Sequence, residues 1–212
     1  MKKNKRLRFI IALKDHISSN KKEYIIVSLI FVIGIFLGVF FVNNMQESKV
    51  SEINSYFSDV INKLKEEENV DIFTLLKESV MEKILLATAI WFFGTTVIGI
   101  PVVFGIVLYR GFCLGYTIAI SIASLEISKG VIFVFSSLFL QNILFILAIL
   151  ALAVSGFKLY NSIVKNKEKE NIKVEILRHT FFSFIMLVLL IFSSVIEVFI
   201  STNILISVIK YF

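Results

Sequence analysis

Nineteen consecutive residues without a charge, Tyr24–Val42 (YIIVSLIFVIGIFLGVFFV), constrain this chain more than any other feature. A hydrocarbon layer of roughly 30 Å takes about 20 helical residues to cross, at 1.5 Å rise each. Inside lipid the backbone has to satisfy its own hydrogen bonds, so a run of this kind is a membrane-spanning helix. It is too long for the apolar core of a signal peptide, and NNMQES after it offers no small-x-small cleavage site, so the span is expected to stay. Comparable runs follow it. With 57% hydrophobic residues, 22 Phe and a mean hydropathy of +0.87, a soluble domain would leave too much apolar surface in water.

The expected fold is therefore all-α, a polytopic transmembrane helical bundle of about five spans forming one integral membrane domain. Residues 1–23 read as a basic cytoplasmic segment and 24–42 as the first span. Residues 43–83 form an outer amphipathic helical loop, and 84–109 and 112–127 are the second and third spans. Segment 130–160 would be about 46 Å long as one helix, too long for a perpendicular crossing. Gln141-Asn142 interrupts it, which leaves a half-buried piece at 131–139 and a fourth span at 143–159. A basic loop at 161–178 leads to the last span, 179–209.

Orientation follows from Lys and Arg in the short loops. Residues 1–23 hold eight basic residues against Asp15 and Glu23, and 158–178 hold six against three acidic ones. Loop 43–83 holds five basic and nine acidic residues. The N-terminus, Arg110 and 158–178 are thus expected in the cytoplasm, the acidic loop and the C-terminus outside. The positive charge sits in clusters that flank apolar runs, so it encodes orientation rather than nucleic-acid binding. Phe9, Ile10, Leu13 and Ile17 fall on one helical face among basic residues, which suits a helix lying on an anionic membrane surface as well as it suits a solvated tail.

Candidate chemistry is sparse. His16 and His179 are the only histidines and Cys113 the only cysteine, so neither a metal site nor a His-assisted nucleophile is supported. No glycine-rich phosphate loop or zinc motif is present, and no catalytic residue or cofactor is expected. Glu66–Glu68 read as a solvated turn. Glu197, about 24 Å along the last span from Phe181, reads as an interfacial anchor. Thr95, Thr96, Gln141 and Asn142 serve interhelical hydrogen bonds as readily as a polar path.

Small residues carry more information. Lipid gives helices no hydrophobic reason to associate, so close packing falls to glycine. Gly94, Gly99 and Gly105 thin the second span, which Pro101 can kink. Arg110-Gly111 reads as a cytoplasmic turn. Gly111 and Gly115 form one small-xxx-small pair, Gly34 and Gly38 another. In the outer loop, Val50, Ile53, Phe57, Val60, Ile61 and Leu64 keep helical spacing. After Asp71, an N-cap candidate, Ile72, Leu75, Leu76 and Val80 resume it. Either this second helix covers the first stripe or a partner does. Ile53, Phe57, Val60, Ile61, Leu64 and Phe73 are the partner-binding candidates.

Taken together, the basic N-terminus, GVFFVNNM closing the first span, the outer loop, the hairpin FFGTTVIGIPVVFGIVLYRGFCLGY and LQN before a later span resemble the stage II sporulation protein M family. The resemblance covers essentially the whole chain. Leu140 stands where the family pattern leads one to expect proline. The resemblance implies a non-enzymatic scaffold in the mother-cell membrane at the sporulation septum. It would hold the peptidoglycan-degrading stage II sporulation proteins D and P during engulfment of the forespore. Lipids and those hydrolases would be its partners, with room left for a homo-oligomer. The rival reading is a transporter or permease subunit. It draws on the interrupted segment 130–160 and is opposed by the lack of an internal repeat and of any cluster of intramembrane charges.

The charge pattern makes a direct prediction. With Cys113 replaced by serine, single cysteines at Ser55 and Lys167 label from outside and inside the cell respectively; outside labelling at 167 in intact cells refutes the five-span topology.

Overall fold

The computed structural model describes residues 18–66, 71–125, 127–135, 140–165 and 172–209, all helix and short turns with no strand among them. The amphipathic stretch around Phe9 and the run Glu67–Glu68 lie outside the described residues, as do the side chains of Phe57, Val60, Ile61, Leu64, Glu66 and Gln141. The helices are α1 (Lys21–Asn43), α2 (Glu47–Glu66), α3 (Ile72–Gly94), α4 (Ile100–Leu125), α5 (Ile127–Val134), α6 (Leu140–Lys165), α7 (Ile172–Ile196) and α8 (Thr202–Ile209). A π-helical turn, Glu197–Ser201, joins the last two. Four segments are long and apolar enough to cross a membrane: Lys21–Asn43, Ile100–Leu125, Asn142–Val164 and Ile172–Ile204.

The hairpin turns earlier than the sequence suggests. Thr95–Gly99 is the turn, and α4 runs unbroken through Arg110-Gly111. The Thr95 and Thr96 hydroxyls donate to the Phe92 and Phe93 carbonyls at 2.7 and 3.0 Å, offering the chain an alternative to the helical ladder where α3 stops. The Gly99 amide donates to Thr96 O, and a side chain at Gly99 would collide with the Phe93 carbonyl. Pro101 then falls in the first turn of α4. Its missing N–H is one that no helical carbonyl would have used there, so it starts a helix instead of kinking one. The expected spans 84–109 and 112–127 are accordingly replaced by α3 and α4. The break expected at Gln141-Asn142 also moves: α5 ends at Val134, and the pair sits in the first turn of α6.

Asp71 caps α3 as its residue type suggests, accepting from the Phe73 and Thr74 amides at 3.1 and 3.3 Å and from the Thr74 hydroxyl at 2.6 Å. Those bonds, the Thr74 hydroxyl first, hold its carboxyl below the usual range.

Helix directions can be followed through matched residues. Phe31 and Ile35 of α1 meet Gly111 and Gly115 of α4 in the same order, so these two helices run parallel. Trp91 of α3 bonds Thr180 of α7, while Lys83 meets Glu197, so α3 opposes α7. Ser155 of α6 bonds His179 of α7, so α6 opposes α7 near the same end. In consequence Lys21, Lys22, Lys158, Lys173 and Arg178 gather at one end of the bundle, and α2 and α8 at the other. Helix α6 is the axis: Ala148, Ile149, Ala151, Leu152, Ala153 and Val154 are all buried, against α7, α3, α1 and α4. By contrast α1 buries only the stripe Val27, Phe31, Gly34, Gly38 and Val42, leaving Ile25, Phe36 and Phe40 for lipid.

The two small-xxx-small pairs meet each other. A Cβ at Gly34 or Gly38 would overlap the Leu108 or Phe112 carbonyl, and one at Gly111 or Gly115 the Phe31 or Ile35 carbonyl. Backbone cannot swing aside as a side chain can, so even one methyl has to push the helices apart. A second close approach joins Gly94 of α3 to Gly156 of α6, whereas Gly105 has nothing within 4 Å.

Gly111→Ala and Gly115→Ala are each expected to destabilise the bundle by about 1–3 kcal/mol, with leucine worse. Gly105→Ala should be neutral or slightly stabilising. Thermal unfolding of the purified variants in detergent checks this, and equal behaviour of all three alanine variants would refute the packing role.

Candidate functional site: an ion-pair cluster within the bundle

Ser79, Glu82 and Lys83 lie three and four residues apart on α3, so they share the face that turns toward α4, α6 and α7. Lys83 is 6% exposed. Its Nζ donates to Ser79 Oγ at 2.9 Å and forms an ion pair with Glu197. Ser79 Oγ in turn donates to Glu197 Oε2 at 2.7 Å, closing a three-membered network. One layer away, Arg110 of α4 pairs with Glu82 at 2.7 Å. Both cations lie near the Phe145 ring of α6, Lys83 Nζ at 5.9 Å and Arg110 Cζ at 5.5 Å from its centroid. Asn142 and Ser193 complete the wall of a cavity of about 150 Å³ among these groups.

Depth makes this cluster unusual. Lys83 lies about 16 Å along α3 from the turn at Gly94, and Arg110 about 15 Å along α4 from Ile100. Ionised groups so far from the helix ends persist only when paired or reached by water. Two carboxylates and two cations balance, and the Phe145 ring face adds its quadrupole to both cations. Glu82 keeps more than half of its side chain exposed, so the cavity has a polar mouth rather than a sealed wall.

Placement differs from the sequence reading at three points. Arg110 lies inside the bundle instead of in a headgroup turn, because the residue after it, Gly111, is consumed by the α1 contact. Glu197 is a network member facing α3 rather than only an interfacial anchor. Charged side chains also cluster between helices of the bundle, which the sequence reading did not expect. Glu82 and Lys83 were missed because they precede the apolar run at Ile84 and so fell into the loop. Ser79-x-x-Glu82-Lys83 was the available signal, since a polar stripe at helical spacing continues the helix inward.

Other candidates lie elsewhere. His179 is buried, with Nδ1 2.9 Å from Ser155 Oγ, wedged against the Gly94–Gly156 contact. No group of three or more metal-ligating side chains occurs among the described residues. Of the outer-loop residues, Ile53 packs against Val42, Ala119 and Ile120, and Asn54 accepts a hydrogen bond from Ser124 at 2.5 Å. Helix α2 also leans on α8. At Ile53, the stripe residue on α2 whose side chain is described apart from Val50, the covering therefore comes from the ends of α1 and α4. Phe73, at 76% exposure, is uncovered. An open groove lined by Phe41, Met45, Lys49, Glu52, Ile53 and Tyr56 runs between α1 and α2.

Removing one partner from a buried pair leaves the other charge stranded. Lys83→Met is expected to destabilise the protein by about 3 kcal/mol, and Lys83→Met with Glu197→Leu to recover most of that loss. Glu82→Gln, at a far more exposed pair, should cost about 1 kcal/mol or less. Unfolding of the single and double variants in detergent measures the coupling; additive losses would mean that the pair is not formed.

Residues 27–202 match the family model described as stage II sporulation protein M. No curated protein and no solved structure matches the chain. The matched span takes in α1 from Val27 on, the glycine contacts, the hairpin, the ion-pair cluster and the π turn, so this chain belongs to the stage II sporulation protein M family, as a sporulation-related membrane protein.

Proposed function

We propose that the protein is a non-enzymatic membrane scaffold that localises a peptidoglycan-degrading complex, with the stage II sporulation proteins D and P, to the mother-cell membrane at the sporulation septum during engulfment. Family membership carries this reading. Two structural features support it. The basic ends of α1, α6 and α7 lie together, which suits a cytoplasmic face; in that orientation α2 faces outward, toward the cell wall. The outer end also offers apolar surface suited to a partner, with Phe73 and Tyr56 both largely exposed and a groove beside Tyr56.

A transport subunit is the second reading, favoured by the charged cavity between the helices, since solute sites in transporters form among packed helices. The two readings differ in what the protein brings down and where it is encoded. A scaffold co-purifies with wall hydrolases from sporulating cells, whereas a transport subunit co-purifies with an ATPase.

Tyr56→Asp and Phe73→Asp should each reduce hydrolase recovery at least tenfold while the protein still accumulates in the membrane, because hot-spot aromatics carry 2 kcal/mol or more. Co-purification of the tagged variants from sporulating cells reads this out. Full recovery with both substitutions would move the docking surface into the spans.

A further inference from the structure

We infer that the cavity bounded by Glu82, Lys83, Arg110, Asn142, Ser193 and Glu197 is a binding site for a small zwitterion, a molecule carrying one ammonium and one carboxylate or phosphate group. This goes beyond the scaffold reading and does not depend on it.

Charge pattern selects the ligand class. A lone anion between the two ion pairs would gain Lys83 and Arg110 but face the carboxylates of Glu82 and Glu197. A lone cation meets the reverse. A zwitterion can set its anionic group toward the two cations and its ammonium toward the two carboxylates, leaving the net charge of the site unchanged. That matters where uncompensated charge is costly. Asn142 and Ser193 supply neutral hydrogen-bonding groups on two further helices, and Phe145 offers an aromatic face.

Size and access agree with this. At roughly 30 Å³ per water, a cavity of about 150 Å³ has room for about five waters, or for a solute of similar bulk. The half-exposed Glu82 marks its mouth. A feature independent of charge also marks the place. Glu197 opens the π-helical turn Glu197–Ser201, where the Thr202 hydroxyl donates to the Glu197 carbonyl at 3.1 Å. Single π turns inside α-helices cost backbone regularity and concentrate at functional sites.

Two sources supply this chemistry: a free α-amino acid and the headgroup of phosphatidylethanolamine. Thermal unfolding of the purified full chain in detergent distinguishes them, using alanine in one arm and dihexanoyl phosphatidylethanolamine in the other. N-acetylalanine, alanine methyl ester and dihexanoyl phosphatidylglycerol serve as singly charged controls. At saturation one of the zwitterions should raise Tm by about 5 °C, and the singly charged probes by much less. Asn142→Ala and Ser193→Ala leave both ion pairs in place, and each should weaken the response about tenfold in apparent Kd. No shift with either zwitterion, an equal shift with a singly charged control, or an unchanged response in both variants would overturn the assignment.

Discussion

Close approach of two backbones at glycine is the contact on which the rest of this structure depends. In lipid, apolar faces gain nothing by meeting, so α1 and α4 are held by shape at Gly34, Gly38, Gly111 and Gly115. Each glycine faces a carbonyl of the other helix, so the pair interlocks in one register. That register fixes the rotation of α4 about its own axis. Adjacent helical residues point about 100° apart, so once Gly111 faces α1, Arg110 has to face elsewhere. It faces Glu82 on α3 and Phe145 on α6. The packing constraint on one residue thereby sets the position of the charge beside it.

The same dipeptide shows where sequence is ambiguous. Glycine after arginine at the end of an apolar run satisfies the requirements of a tight turn, and it equally satisfies those of a helix contact. Nothing local separates the two. What decides is Pro101, whose fixed φ and missing N–H are tolerated in a first turn and costly in mid-helix. Given that, the chain has to turn before it, at Thr95–Gly99, and the helix that follows is long enough to carry Arg110 inward. Helical class, Asp71 as a cap and the small-xxx-small pairs were all legible, because each rests on local chemistry. The pairing of those glycines, the register of the hairpin and the ion-pair network were not, because each depends on which distant helix arrives opposite.

The ion pairs show that limit most clearly. Ser79, Glu82 and Lys83 read as loop when hydropathy alone draws the boundary, since the apolar run starts at Ile84. Only Glu197, 114 residues from Lys83, turns that stretch into part of a network in which Lys83 is buried. Helix α3 is thus a hybrid. Its second half is apolar and packs at Ile90 and Gly94 against the core, and its first half is amphipathic, with Lys77, Glu78, Glu82 and Lys83 that could not face lipid unaided. It sits in the bundle because α4, α6 and α7 present complementary groups.

This arrangement bears on what the bundle can do. Replacing a buried ion pair such as Lys83–Glu197 by well-packed hydrophobic residues is often neutral or stabilising, because the pair brings a desolvation penalty that attraction only partly repays. The buried Lys83–Glu197 pair, the more exposed Arg110–Glu82 pair, a cavity and a π turn nevertheless occur together beside α3, which helix packing alone does not require. The glycine interface and the ion-pair layer are also adjacent along α4, at Gly111 and Arg110. Neighbouring residues of one helix thus line the cavity and make the α1 contact. Helix α1 continues outward to Val42, where Ile53 of α2 packs. Helices α4, α1 and α2 thus form an unbroken series of packed elements between the polar cluster and the end of the bundle where α2 lies.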